Sequence, residues 1–500
     1  MLGSFASLAG ALALMVASVN AQCGGTVSNI NNTTRKFTVE TYNADVTVLT
    51  ISGLNNNPDK ESYLLYCGAT APDSTVIQTM GLSPSVKQFK VPVTRVLSAG
   101  NFTSSYIELA GGQSNIAVLE NPQNIVSPCL QYHYRSGLIS PLDSANLTQY
   151  ESLDVGFRQF KSGEPKDVWV PESEEVAPLQ RVEYLMAVSL FFNNATAASI
   201  IYDKIIGTYN ILKMDMERIP KENKMRIGWV KYDFGRRSWI LCNTPFIRGI
   251  INDAGGIPFP LKGDGLPSYP DISPSDFKIL MTNADVIIDQ TDLTDGKGNE
   301  TSVFSRWRAL AGFTGMTTHV LDMKRVYSLD NTMNQARIND YQYRMPSRPD
   351  LLLRDVIAVQ YPQYNPEHKF RFLNTKFYSG EGATNQLGPE NCVSNPAVTT
   401  PFPYNSGDIT AATFNPLFTG GPPPPPAVGG GIYGIGGDSQ GGDTSNDGKN
   451  KTTSIIIAVV CVAAVLGAAF AFAFYKWSRR AKEDRFIELE EEMNNEIPLN

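Results

Sequence analysis

The sequence predicts an α/β protein of two α/β lobes joined by a long helix, with one transmembrane helix near the C-terminus. Three observations lead there. Strand-like and helix-like segments alternate from Arg226 onward, an order that builds a parallel sheet with helices on its faces. Between Ala197 and Met216 apolar residues recur at helical spacing, with Ile201, Ile205, Leu212 and Met216 largely on one face of a segment about 30 Å long. Ser454 to Tyr475 is an uncharged run long enough to cross about 30 Å of hydrocarbon.

In chain order, Leu2 to Ala21 reads as a signal peptide, one short apolar stretch ending in small residues at Val19-Asn20-Ala21. Strands are expected at Lys36–Thr41, Val46–Ile51, Tyr63–Tyr66 and Val91–Leu97, rich in Val, Thr, Tyr and Leu and separated by Asn, Pro and Gly. Tyr106–Ala110 suits a short helix stopped by Gly111-Gly112, and Ile116–Leu119 a strand. Residues 22–178 then form the N-terminal lobe, and helices at Leu179–Phe192 and Ala197–Met216 fill a linking region, 179–219. The C-terminal lobe, 220–399, holds strands at Arg226–Tyr232, Val286–Asp289 and His319–Leu321. Its helices are expected at Pro245–Ala254, Ser275–Thr282, Ser302–Ala311 and Pro349–Val359. From 400 to 453 Pro and Gly dominate, with Pro422 to Pro426 consecutive, a composition that makes a stalk rather than a core. The span 454–475 is followed at once by Lys476, Arg479, Arg480 and Lys482, which places the tail 476–500 in the cytosol.

The address is therefore a single-pass type I protein of the cell membrane or an endomembrane, its folded part extracellular or luminal. Sequons at Asn31, Asn32, Asn101, Asn146, Asn194, Asn299 and Asn450 all precede the span and agree with that orientation. Cys23, Cys67, Cys129, Cys242 and Cys392 face the oxidising side. Their odd number allows at most two bridges, and spacing does not select the pairs.

Composition narrows the function. Against 49 Asp plus Glu stand 42 Lys plus Arg, a net charge of −7 without a long basic run, which argues against nucleic acid as a partner. Only 3 His are present, poor material for a His-rich metal centre, so neither metal nor cofactor is expected. No G-x-S-x-G elbow, Walker loop, H-E-x-x-H or C-x-x-C pair occurs, so the chain is not expected to be an enzyme.

A series of blocks resembles a known family, the class III periplasmic-type solute-binding proteins that carry siderophores, haem or cobalamin. The blocks are Val91-Pro-Val-Thr-Arg-Val-Leu97, Ala177-Pro-Leu-Gln-Arg181 before a helix, and Ala198 to Lys213. They continue with Arg226-Ile-Gly-Trp-Val-Lys-Tyr232, Ile250 to Gly256, Ala284-Asp-Val-Ile-Ile-Asp289, Arg348-Pro-Asp-Leu-Leu-Leu-Arg-Asp355, Tyr361-Pro-Gln and Pro366-Glu-His368. The resemblance implies an interlobe cleft that captures a small ligand, an iron chelate (siderophore or haem) or a corrinoid. It departs from the bacterial pattern in its sequons, stalk and membrane anchor, so the transporter or sorting partner is not implied. The alternative is a cell-surface interaction or adhesion protein that keeps the fold without the ligand.

Ligands of α/β folds lie outside the strand ends, so the loops after strands hold the candidates. These are Tyr132, His133, Tyr134 and Arg135 in the first lobe, and Tyr232, Phe234, Arg236, Arg237, Trp239, Asp289, Tyr327, Arg337 and Tyr341 in the second. Rings suit a planar chelate and Arg its carboxylates. Tyr132 to Arg135 also fits a plain surface loop. Arg181 fits either an ion pair with the acidic run Glu172-Ser-Glu-Glu175 or part of a docking surface.

Overall fold

The computed structural model describes residue 23 and residues 37–53, 60–100, 102–259, 268–291, 303–379 and 385–392. The expected signal peptide, stalk, membrane span and tail lie outside them, as do Asn31, Asn32, Asn101, Asn299 and Asn450. No helix among the described residues is long and apolar enough to cross a membrane. The architecture is mixed α/β with several sheets.

The chain opens with a mixed four-stranded sheet: β1 (Phe37–Asn43), β2 (Val46–Ser52) and β3 (Lys60–Tyr66) antiparallel, then, after α1 (Ser74–Thr79), β4 (Lys87–Lys90) parallel to β3. The period-2 alternation is visible in β3. Tyr63 and Leu65 enter the first large core, while Leu64 packs with Val46 and Ile77 in a smaller cluster. A Cys23–Cys67 disulfide pins residue 23 to the end of β3.

A five-stranded parallel sheet follows. Its elements are β5 (Val96–Ser98), α2 (Thr103–Leu109), β6 (Ile116–Leu119), α3 (Pro128–Arg135), β7 (Ser140–Pro141), α4 (Leu147–Glu151), β8 (Val155–Arg158) and β9 (Asp167–Trp169). The order β7-β6-β5-β8-β9 reverses direction between β5 and β8. The strand expected at Val91–Leu97 is shorter than the sequence pattern suggests. Pro92 has no N–H for a ladder, the Thr94 and Arg95 amides are taken by the Asp154 carboxylate, and only Val96–Ser98 joins the sheet.

Two helices, α5 (Pro178–Phe191) and α6 (Ala195–Glu217), lead out of this sheet. The 23 residues of α6 span about 35 Å at helical rise. Ala195, Ala198, Tyr202 and Ile205 pack in the first core, and Tyr209, Leu212 and Met216 in the second. One helix thus belongs to both cores.

The second sheet is built from β10 (Arg226–Asp233), β11 (Ser238–Cys242), α7 (Pro245–Asp253), β12 (Ile257–Pro258), β13 (Ser268–Ile272), α8 (Pro274–Met281), β14 (Val286–Asp289), α9 (Val303–Leu310), α10 (His319–Asp322) and β15 (Val326–Ser328). Its order is β13-β11-β10-β14-β15, with β12 against the start of β10. The β10, β14 and β15 strands are parallel, β11 alone runs against them, and β13, antiparallel to β11, runs with them. Thr244 and Ser273 cap α7 and α8 through their hydroxyls, each followed by a proline at the first helical position. Gly255 ends the α7 turn at φ +74, where an added Cβ would meet Met216 and Ile219 of the α6 region.

Two expectations fail here. His319–Leu321 is helical, not extended: the Leu321 and Asp322 amides both bond the Thr318 carbonyl, and three apolar residues are too few to fix a period. Residues Lys231 to Trp239, expected as a loop, form a hairpin whose turn is held by the Asp233 carboxylate accepting from the Gly235 and Arg236 amides.

The last described segment contains β16 (Thr332–Asn334), α11 (Asp340–Arg344), α12 (Pro349–Gln360) and β17 (Asn385–Leu387), with β16 and β17 parallel. It packs back on the first half. Tyr343 is fully buried in the first core and donates to the Glu108 carboxylate at 2.7 Å. Ser347 and Ser105 share a bond of 2.6 Å, and the Asn334 amide donates to the Gln123 and Ile125 carbonyls at 2.8 and 3.1 Å. A disulfide joins Cys129 of α3 to Cys392, which leaves Cys242 as the buried unpaired cysteine among the described residues.

Candidate functional site

Where neighbouring strands send their connections in opposite directions, a crevice opens outside their carboxyl ends. In the second sheet this happens between β10 and β14. A cavity of about 110 Å³ lies beside it, at the ends of β14 and β15. Its floor is Gln290 and Thr291 beyond β14 and Ser328, Leu329 and Asp330 at the end of β15. Its roof is Met333, Arg337, Ile338, Asn339 and Gln342, with Val303 and Phe377 beside them.

The floor is held by its own polar groups. Asp289 ends β14 fully buried, and its Oδ1 accepts from the Thr291 hydroxyl at 2.6 Å and the Thr291 amide at 3.1 Å. The Thr291 hydroxyl also accepts from the Tyr232 amide at 2.7 Å, tying β14 to β10. Asp289 Oδ2 has no hydrogen-bond partner among the described residues. Burial pushes the Asp289 carboxyl up to about 7, against the pull of the Thr291 bonds and with a contribution from the Asp330 charge. Burial also raises Asp330, although Ser328 and Asn374 donate to it and the Arg337 guanidinium favours its charged form. One carboxylate, Asp330, and one guanidinium, Arg337, therefore line this small space, and a second carboxylate, Asp289, is bonded to its Thr291. Arg337 itself has φ +66, a left-handed backbone held by the Asn334 side chain accepting from the Ile338 amide at 2.9 Å.

Of the residues expected to bind ligand, Arg337 lines this cavity and Asp289 lies directly beneath it. The others fall elsewhere. Trp239 is fully buried and stacked on Phe277 at 4.0 Å, with its indole N–H on the Leu310 carbonyl. Tyr232 packs edge-on against Trp239 and Phe234, and Phe234 is exposed beneath the Arg306 guanidinium. Arg236 is 62% exposed, facing Asp233 at 3.9 Å, and Arg237 occupies the turn at φ +52. Tyr341 is buried near Trp229 and Phe372, and Tyr327 is half-buried in β15 with its phenol pushed up to about 12. Tyr132 to Arg135 lie on α3 rather than in a loop. Tyr132 and Tyr134 point to solvent, His133 is buried with its pKa lowered by that burial, and Arg135 donates to the Gln335 side chain at 2.9 Å.

Arg181, expected in an ion pair with the acidic run or on a docking surface, bonds backbone carbonyls of that run. It donates to the Glu175 and Ser173 carbonyls and its guanidinium lies 4.1 Å over the Phe246 ring of α7, bridging the two halves. Nearby Glu172 is 1% exposed, its Oε2 lacks a hydrogen-bond partner among the described residues, and burial pushes its carboxyl up to about 8. Of the two described sequons, Asn146 is exposed at the start of α4, whereas Asn194 is half-buried and donates its side-chain amide to the Ala110 carbonyl at 2.8 Å.

The loops after β14 and β15, where the sequence put Asp289, Tyr327, Arg337 and Tyr341 forward, also line this cavity. Beside Arg337 it is lined by polar residues that the sequence reading did not single out: Gln290, Thr291, Ser328, Asp330, Asn339 and Gln342. The position of each at or just past a strand end was the available signal.

No family model matches the chain, and no curated relative matches it either. Among solved structures the chain is similar to a periplasmic binding protein from Veillonella parvula, at 10% identity and TM-score 0.42 over 62% of this chain and 97% of that one. It is also similar to a periplasmic heme-binding protein from Pseudomonas aeruginosa (13% identity, TM-score 0.38, 59% of this chain and 99% of that one). A third is a periplasmic vitamin B12-binding protein from Vibrio cholerae (10% identity, TM-score 0.36, 54% of this chain and 97% of that one). At these identities, and with TM-scores under 0.5, the likenesses assign no ligand to this chain.

Proposed function

We propose that the chain is a membrane-anchored solute-binding protein whose ligand is a small polar solute bearing a cationic group, held at the carboxyl ends of β14 and β15. The observation that carries this reading is a polar cavity of about 110 Å³ lined by the Asp330 carboxylate, with the fully buried Asp289, one oxygen unpartnered, bonded to Thr291 of its lining. Burying carboxylates is unfavourable unless a cation offsets the lost hydration. An ammonium between Asp330 and Asp289 supplies that offset, while Gln290, Asn339 and Gln342 offer amide donors and acceptors to the rest of the solute. The iron chelates and corrinoids expected from the sequence blocks exceed this space, since sites for ligands of drug size run to roughly 300–1,000 Å³.

A thermal-shift screen of the full chain tests the reading, because a ligand bound by the native state alone raises apparent stability. A saturable shift with a small amine or zwitterion, lost in Asp330→Asn, supports it. A shift with haem, cobalamin or a ferric siderophore and none with small solutes rejects the small-solute assignment.

A second reading has its own support. The space between the two halves is filled by Tyr343, Ser347 and Asn334, all hydrogen-bonded across it, as expected of a surface interaction protein that keeps the fold without an interlobe ligand. It predicts no shift with any solute.

A further inference from the structure

The roof of the cavity and the seam between the two halves are the same piece of chain. Met333, Arg337, Ile338, Asn339 and Gln342 face the cavity, and from within the same short stretch Asn334 and Tyr343 reach the first half. This stretch is anchored at both of its sheet partners. The β16 strand carries the Asn334 bonds to Gln123 and Ile125, just before α3. Its partner β17 offers the Leu387 carbonyl to the Gln131 amide of α3, and Cys392, five residues on from Leu387, is bonded to Cys129 of that same helix. The link closes a loop over a sequence separation of 263, so it restrains far more of the chain than Cys23–Cys67, with a separation of 44.

We propose that the stretch from β16 to α11, with β17 paired to β16, is a strap over the cavity and that the Cys129–Cys392 disulfide is its redox latch. With the bond closed, the roof is held on the first half and the cavity stays enclosed. Opening it needs a dithiol reductant. A thiolate of the reagent attacks the half-buried Cys392 sulfur, Cys129 leaves as a thiolate and takes a proton, and the second thiol of the reagent then displaces Cys392. Two electrons pass to the protein, which gains two thiols, and the reagent leaves as a disulfide. What remains across the seam is the buried Tyr343 ring with its Glu108 bond, the Ser105–Ser347 and Asn334 bonds, and the Gln131–Leu387 and Arg135–Gln335 bonds, contacts that open locally at a lower cost than global unfolding.

The inference uses the proposed cavity but is tested without any ligand, so its failure and that of the solute-binding reading are separable. Hydrogen exchange is followed in the full chain, oxidised, after dithiol treatment with the reduced pair identified by mass, and in Cys129→Ser/Cys392→Ser. The expected result is exchange at least about tenfold faster in 333–345 once the bond is open, with β10 and β14 amides unchanged. Tyr343→Phe, which keeps the disulfide, is expected to raise exchange in the same stretch only a few-fold. Unchanged exchange in 333–345 after confirmed opening overturns the latch. So does a uniform rise that includes β10 and β14, since the bond then supports the whole fold rather than a strap.

Discussion

The two halves of the molecule place loops at the same topological position and fill it differently. At the switch point of the first sheet, Ser98 ends β5 with its hydroxyl bonded to those of Thr103 and Ser104 at 2.6 and 2.7 Å, and all three are buried. The Gly100 amide is taken by Glu120 at 3.0 Å. The polar groups at this strand end are thus satisfied by short neutral hydroxyls and by a carboxylate at the rim. At the switch point of the second sheet the equivalent place holds Asp289 and Asp330, one with an unpartnered oxygen, under a cavity. Neutral hydroxyls close a strand end, whereas buried carboxylates keep it waiting for a counter-charge.

The largest effect expected from disturbing this contrast lies at the seam. Tyr343→Ala removes a fully buried ring from the first core and strips Glu108 of a hydrogen bond, so a loss of about 3–5 kcal/mol in denaturant unfolding is expected. A loss below 1 kcal/mol contradicts the insertion of α11 into that core.

Next comes ligand binding. In the second half Asp330→Asn is expected to weaken the solute at least tenfold, and Thr103→Val in the first half to leave affinity unchanged while costing about 1 kcal/mol of stability. Equal losses of affinity in both would erase the distinction.

The pH dependence of stability follows from the two buried acids. Glu172 at about 8 and Asp289 at about 7 hold protons in the folded chain that the unfolded chain, with ordinary carboxyl values, releases. The stability contributed by these two groups is therefore full below the ordinary carboxylate range and is lost as pH rises through 7 and 8. Tm is expected to be higher at pH 5.5 than at pH 8.5, by on the order of a few degrees. Glu172→Gln and Asp289→Asn should each flatten part of that decline, Asp289→Asn at the lower pH. A Tm that rises with pH over this interval rules out both buried acids as its determinants.

The smallest effect belongs to the hairpin. Arg236→Ala removes an exposed side chain 3.9 Å from Asp233 and should change unfolding free energy by less than about 0.5 kcal/mol and solute affinity not at all. A marked loss of affinity would bring the hairpin back into the site.

How much of this was legible in the sequence differs by length scale. Long periodic segments were: α5, α6, α7 and α12 fall where apolar spacing placed them, and β10 and β14 where compact apolar runs did. Some of the short ones were not. Val320 and Leu321 look like strand residues, yet Thr318 turns them into a helical turn, and α3 hides behind the Tyr132-His133-Tyr134 run because its buried face is only Cys129, Leu130 and His133. The disulfide pairs follow from tertiary proximity, which five cysteines in a line cannot encode. The strap was illegible for the same reason: nothing local in Asn334 or Tyr343 says that their partners are more than 200 residues away. The site was half legible. The loops after β14 and β15 were identified, but Tyr327 and Tyr341 drew attention through size, while Ser328 and Asp330, small and polar at the strand end, form the floor.

The contrast between the two strand ends is tested most directly by calorimetric titration of the full chain with the small amine or zwitterion that shifts its Tm, at pH 7 in two buffers of different ionisation enthalpy. A cation seated at Asp330 and Asp289 lowers both carboxyl values, so binding should release protons, and the apparent enthalpy should differ between buffers by an amount that shrinks in Asp289→Asn. Identical enthalpies in both buffers for the unmodified chain, with full affinity kept in Asp330→Asn, would show that the solute does not bind at this strand end.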